Sequence, residues 1–292
     1  MIWWFTEPAN KELGVIEMAE DHQLSVLIDL RGMTGRMQRL LRHAMNLVAI
    51  GLHARDGVTN DTLSIPDVTM HHQFDTSNQW NVEQAQEAWE TWILKNGFRD
   101  VSEALAGVLE EAQSVLSYWQ ISLIQNDRKV IGEDWNEIVV HRGQQFHRKT
   151  LPQKLDFLKA KHDFELDPHL VKQALSINAA RNCLVHRGGL VSDSDIDSSG
   201  GLIVEWRCLA LVAEIDGEMQ EIIPPHYLEA GTRLGISMRN RSRRFEVGDL
   251  FQVNTEEFTQ ICWTLFAFTL SCTQSLQKWA EARGFDFKAD DA

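Results

Sequence analysis

The sequence predicts a mainly α chain carrying a small β insertion, on two observations. Long stretches place apolar residues at three- and four-residue spacing and are bounded by capping residues. One block, near 202–253, carries β-formers and a hairpin signal instead. With 292 residues, 43% of them hydrophobic, the chain is long enough to bury a sizeable core and should fold rather than stay disordered.

The elements follow in order. Thr34 to Ala54 reads as a helix through Met37, Leu40, Leu41, Ala44 and Leu47, and the stretch from Gly57 to His72 reads as loop. Asn81 to Lys95 reads as a second helix, with Gly97 as its stop. Asp100 with Glu103 then opens a new helix, an acidic variant of the capping box, whose stripe from Val101 to Leu123 runs to about Ile124. Thr150 caps a shorter helix holding Leu151, Leu155 and Leu158. Asp167-Pro168 starts another that ends at His186, where Gly188 or Gly189 supplies the left-handed residue. Val191 to Gly201 is an acidic, Ser-rich loop. Strands are expected at Leu202 to Val212, Met219 to Ile223, Leu234 to Met238 and Arg244 to Val253, with Asp216-Gly217 as a turn. Asn254 and Glu257 open the last long helix, Thr255 to Arg283, before Gly284. The division implied is an N-terminal helical region, 1–97, and a helical domain, 98–292, carrying the insertion at about 202–253.

Composition narrows the function classes. A net charge of −14 speaks against a general nucleic-acid coat and an anionic membrane surface, because phosphate contacts supply most non-specific affinity. An acidic protein can still cut RNA through a local basic site. Cys183, Cys208, Cys262 and Cys272 form no C-x-x-C pair and have no His at zinc spacing, so reduced buried thiols and a cytoplasmic setting are expected. The start, Met1 to Pro8, lacks a basic n-region and a long enough apolar run for a signal peptide. The most apolar segment, Ile261 to Cys272, would span about 18 Å as a helix, short of the ~30 Å of a bilayer core, and reads as a buried helix. Ten Trp accompany two Tyr; Trp3 and Trp4, and the group Trp80, Trp89 and Trp92, read as core filling.

The segment Arg181-Asn182-Cys183-Leu184-Val185-His186 carries the chemistry. Leu170, Ala174, Ile177, Arg181 and Leu184 share one helical row, and Val171, Leu175, Asn178, Asn182 and Val185 the next, so Arg181 and Asn182 interrupt an apolar face. An Arg there needs a carboxylate, a phosphate or a cleft. Positions 181 and 186 differ by about 140° around an ideal helix, whereas Asn182 and His186 share a face. Metal-free RNA cleavage needs a base for the 2′-OH proton and cations for the phosphorane; His suits the first and Arg the second, with Asn orienting either. The same residues also fit an ordinary helix end, where His is favoured by the macrodipole and Gly by capping.

This stretch resembles the signature of the HEPN superfamily: Arg, four to six residues, then His, with a polar residue such as Asn182 directly after the Arg. Gly188-Gly189 after the Val-His pair, and long helices before and after, are similar to the family's pattern. The resemblance covers Phe98 to Val191 plus Thr255 to Gly284, and leaves 1–97 and the β insertion unexplained. It implies an all-α bundle that dimerises, bringing two motifs into one cleft. It also implies metal-independent endoribonuclease activity with Arg181, Asn182 and His186 as the catalytic set and no cofactor. The implied setting is toxin–antitoxin or phage defence, with a protein antitoxin or regulator as the implied partner. The alternative is a non-catalytic dimerisation, interaction or nucleotide-binding module.

Other constellations rank below this one. Arg239, Arg241, Arg243 and Arg244, with Arg233 nearby, could grip RNA phosphates or balance an acidic surface. Arg187 and the segment His141, Arg142, His147, Arg148 and Lys149 offer further basic groups. Asp193, Asp195 and Asp197 begin like a calcium loop, but Ser198 stands where Gly is wanted and Val204 where the bidentate Glu belongs. His71-His72 has no partner at metal spacing, and P-loop, Rossmann, G-x-S-x-G and H-E-x-x-H signatures do not occur.

Overall fold

The computed structural model describes residues 28–59, 81–124, 142–223, 227–228 and 230–285. The readings made for 1–8, Trp80, His71-His72 and His141 lie outside the described residues. Among those described, the helices are α1 (Leu30–Ala54), α2 (Val82–Ile124), α3 (Arg142–His147), α4 (Leu151–His162), α5 (Pro168–Arg187) and α6 (Thr255–Glu281). Strands β1 (Leu202–Ile215), β2 (Glu218–Glu221) and β3 (Leu234–Phe245) form an antiparallel sheet in the order β2-β1-β3. The chain is mainly α with a small sheet, as the periodicity predicts. No helix among the described residues is long and apolar enough to cross a membrane.

The largest difference from the sequence reading of the helices lies at Gly97. A single helix, α2, replaces the two expected on either side of Gly97 and runs unbroken through residue 97, where the sequence suggests a division. A Cβ on Gly97 would lie 2.4 Å from Cγ2 of Val48 and 3.2 Å from the Phe258 ring. The glycine is there for close approach of neighbouring elements, which outweighs its cost inside a helix. Phe98 and Val101 are both fully buried, so packing carries the helix across the apparent stop. Asp100 is then no N-cap; its carboxylate accepts from Arg99 on the helix surface at 3.3 Å. The true start is a reciprocal capping box: Gln84 N–H donates to Asn81 Oδ1 at 2.9 Å, and Asn81 N–H to Gln84 Oε1 at 3.1 Å.

The chain separates into two compact units interleaved along the sequence. The first comprises Met1–Met37, Ala106–Leu166 and Thr269–Ala292. Its core holds Leu109, Leu116, Phe146, Leu158 and Leu276, with Trp119 stacked on Trp279 at 5.8 Å between ring centroids. Lys154, only 2% exposed, donates to the carbonyls of Phe146, His147 and Lys149 at 3.0, 2.8 and 3.1 Å and pairs with Glu110 at 3.1 Å. Buried His162 meets Gln113 Oε1 at 2.8 Å, while Trp279 Nε1–H donates to the His162 carbonyl at 2.7 Å. Burial raises the Cys272 thiol well above its ordinary range.

The second unit comprises Gln38–Leu105 and Asp167–Phe268 and contains the motif. Leu94, Phe98, Leu105, Ile177, Phe251, Phe258 and Leu265 lie in its core. One face of β1 is buried at Leu202, Val204, Trp206, Cys208, Ala210 and Val212, with Trp206 Nε1–H donating to Gln260 of α6 at 2.6 Å. The opposite face is covered toward α5, where Glu205 pairs with Lys172 at 2.7 Å and Arg207 with Asp167 at 3.2 Å. Farther along it, Leu209 opposite Met238 and Leu211 opposite Ile236 are exposed. Asp216 and Gly217, both at positive φ, make the expected hairpin turn. The two strands expected at 234–238 and 244–253 are one, ending at Phe245. Gly248 at φ 93° turns the chain, and Leu250 then bridges to Leu190.

Candidate functional site

Helix α5 is delimited as its sequence suggests. The Asp167 carboxylate accepts from His169 N–H at 2.9 Å, Pro168 occupies the first turn, and Gly188 closes the helix at φ 64°. Burial would raise the Asp167 carboxyl, but the His169 N–H and the Arg207 guanidinium outweigh it and hold its pKa down. The buried stripe is Leu170, Gln173, Ala174, Ile177, Ala180 and Cys183. The core row therefore passes through Ala180 and Cys183. Arg181 and Asn182 are half-buried beside it rather than on it, a rotation of the face read from the sequence. Small side chains at 180 and 183 let the helix seat closely, and that seating selects the packed side.

Arg181, 25% exposed, reaches across to α2 and donates from Nη2 to Glu103 Oε1 at 2.9 Å; Glu103 itself is 52% exposed. A second nitrogen, Nη1, donates to Asn182 Oδ1 at 3.2 Å. The guanidinium is thus oriented by two acceptors at the edge of solvent. His186 is exposed on the last turn and has no hydrogen-bond or ion-pair partner among the described residues. Arg181 and Asn182 are therefore joined by a hydrogen bond, while His186, about 140° around the helix from Arg181 but on the face of Asn182, is bonded to neither.

Arg187 takes a different role. Its guanidinium pairs with Asp195, whose carboxylate is 2% exposed and also accepts from Ser192 N–H at 3.0 Å and Ser192 Oγ–H at 2.9 Å. Burial pushes the Asp195 carboxyl up, yet Arg187 and Ser192 more than offset it, so its pKa lies below the usual range. The second Asp of the D-x-D-x-D run is thereby an anchor of the loop onto α5. Asp197 accepts from Ser199 N–H at 2.7 Å. No group of three or more His, Cys, Asp or Glu able to hold a metal occurs among the described residues.

Of the four arginines at 239, 241, 243 and 244, three have carboxylate partners. Arg241 pairs with Glu221, Arg243 with Glu257 at 3.0 Å, and Arg244 with Glu246 at 2.6 Å. All lie on β3, with half-buried Arg239. Arg148 is exposed just after α3, whose first residue is Arg142.

Three residues around the motif escape sequence reasoning. Glu103 reads as a capping residue until α2 proves continuous. Trp92, read as core, is 56% exposed. Lys95 is half-buried, and a Cβ on Gly189 would lie 3.5 Å from its Nζ. Burial lowers the Lys95 pKa, against a smaller upward pull from Cys183. The one available signal was the spacing of Trp92, Lys95 and Glu103, which share one side of a helix only if Gly97 does not break it.

No protein-family model, curated protein or solved structure matches this chain.

Proposed function

We propose that the chain is a HEPN-type, metal-independent endoribonuclease acting as a homodimer, with Arg181, Asn182 and His186 as its catalytic set. The observation that carries this reading is the state of those three side chains. An exposed imidazole with no partner among the described residues and a guanidinium aimed by two acceptors stand on the last two turns of one helix. In the reaction, a general base takes the 2′-OH proton and the 2′-oxygen attacks the adjacent phosphorus. The P–O5′ bond breaks, and the leaving oxygen receives a proton, giving a 2′,3′-cyclic phosphate and a 5′-hydroxyl. His186 serves as base or acid, and Arg181 stabilises the charge of the pentacoordinate phosphorane. Asn182 orients Arg181. Because 181 and 186 diverge around the helix, the second copy of α5 across a two-fold axis completes the site.

The Arg181–Glu103 pair favours a second reading, a non-catalytic interaction module in which the guanidinium is a structural strut. The two separate in RNA cleavage with excess chelator. The catalytic reading expects activity in the wild type and its loss in both Arg181→Ala and His186→Ala. Equal cleavage by all three proteins, strict metal dependence, or no cleavage by the wild type overturns it.

A further inference from the structure

A cleft of about 490 Å³ opens beside the motif, within the size range of small-ligand sites. One wall is α2, presenting Glu87, Thr91, Trp92 and Lys95; the other is the segment holding Leu250 and Gln252. That segment is fastened to the end of α5: Phe251 N–H donates to the Gly189 carbonyl at 2.7 Å and Val191 N–H to the Asp249 carbonyl at 2.9 Å. Gly189 follows His186 by three residues, so their Cα atoms are at most about 11 Å apart. On an ideal helix Trp92 and Glu103 lie within about 20° of each other, with Lys95 about 60° to one side of Trp92. The same side of α2 that orients Arg181 through Glu103 therefore carries the cleft.

Two features of the cleft select its occupant. Trp92 is held from behind: Trp89 stacks against it at 5.6 Å and 27°, and Trp89 Nε1–H donates to the Gly51 carbonyl at 2.7 Å. A braced, largely exposed indole offers a flat stacking surface at little entropic cost. Lys95 lacks a carboxylate or hydrogen-bond partner among the described residues although it is half-buried, so an anionic group gains a ready counter-ion there. Glu87 lies about 12 Å along the helix from Lys95 and repels an anion at the far end, which fixes the direction of binding.

We infer that this cleft binds one nucleotide of a single-stranded RNA, the base stacked on Trp92 and the phosphate on Lys95. The assignment rests on the ribonuclease reading above, and it makes the flanking nucleotide the handle by which the scissile phosphate reaches the end of α5.

Binding is measured with a fluorescent 2′-O-methyl oligoribonucleotide of mixed sequence, which lacks the attacking hydroxyl and stays intact. Trp92→Ala is expected to weaken binding about tenfold without changing its salt dependence. Lys95→Ala is expected to weaken it and to lower the log–log salt slope by roughly 0.7, the share of one single-strand phosphate. Trp263→Ala, an exposed tryptophan on α6, should bind as the wild type does. Wild-type affinity in both cleft variants, an equal loss in Trp263→Ala, or no binding by the wild type overturns the inference. Cleavage by His186→Ala at the wild-type rate would instead remove the ribonuclease reading and leave the binding result standing.

Discussion

Two lysines and two histidines divide the molecule. In the first unit, Lys154 is buried with three carbonyls and one carboxylate around its ammonium, and His162 is buried against Gln113. In the second, Lys95 is half-buried beside an open cleft and His186 is exposed, neither with a hydrogen-bond partner among the described residues. A saturated buried cation is part of the fold, because every proton it could offer a ligand is already placed. An unsaturated one beside a cleft still has protons to offer, which is the basis for assigning Lys95 a phosphate. The contrast teaches that residue type alone does not mark function; the difference lies in what the surrounding backbone has already satisfied.

The sharpest way to break this contrast is to truncate both lysines. Lys154→Ala strips four polar contacts from a closed interior and should cost about 3–5 kcal/mol, read as a lowered denaturant midpoint. Lys95→Ala should leave the midpoint nearly unchanged while weakening RNA. Equal stability losses would erase the distinction between the two sites.

Gly97→Ala sharpens the second unit's geometry. Its added methyl meets Val48 and Phe258 and should destabilise by about 1–3 kcal/mol, despite alanine's better helix propensity. A stabilised variant would mean that Gly97 is not a packing glycine.

The smallest effect is acid sensitivity at the loop that anchors α5. The folded-state pKa of Asp195 is lowered, so its contribution is complete above the ordinary carboxylate value, near 4, and is lost as pH falls toward the folded value. The melting temperature of the wild type should therefore exceed that of Asp195→Asn at pH 7, and the gap should close below about pH 4. A gap that is constant from neutral pH to pH 3 contradicts the account.

The caps and stripes of α4, α5 and α6 were legible because local chemistry decides them. Asp167-Pro168 and Gly188 bound α5 as their residue types require, and Asn254 with Glu257 opens α6 through a bond of 2.8 Å. Gly97 misled because a glycine chosen for tight packing looks the same in sequence as one chosen to end a helix. With that error went Glu103, whose partner Arg181 is 78 residues away in the chain. Arg181 itself was legible as a cation in need of an acceptor, but the acceptor depended on tertiary contact. Trp92 was misread for a related reason: helical spacing puts it on a stripe, and only the packing of α1 decides which side of that stripe is covered.

The central claim is that the end of α5 performs chemistry. The single-turnover rate of RNA cleavage in excess chelator, compared between the wild type and His186→Ala, tests it most directly. The account predicts a fall of about 10²–10⁴-fold, the range for removing a general acid–base group, with an unchanged melting temperature. Equal rates in the two proteins would contradict it.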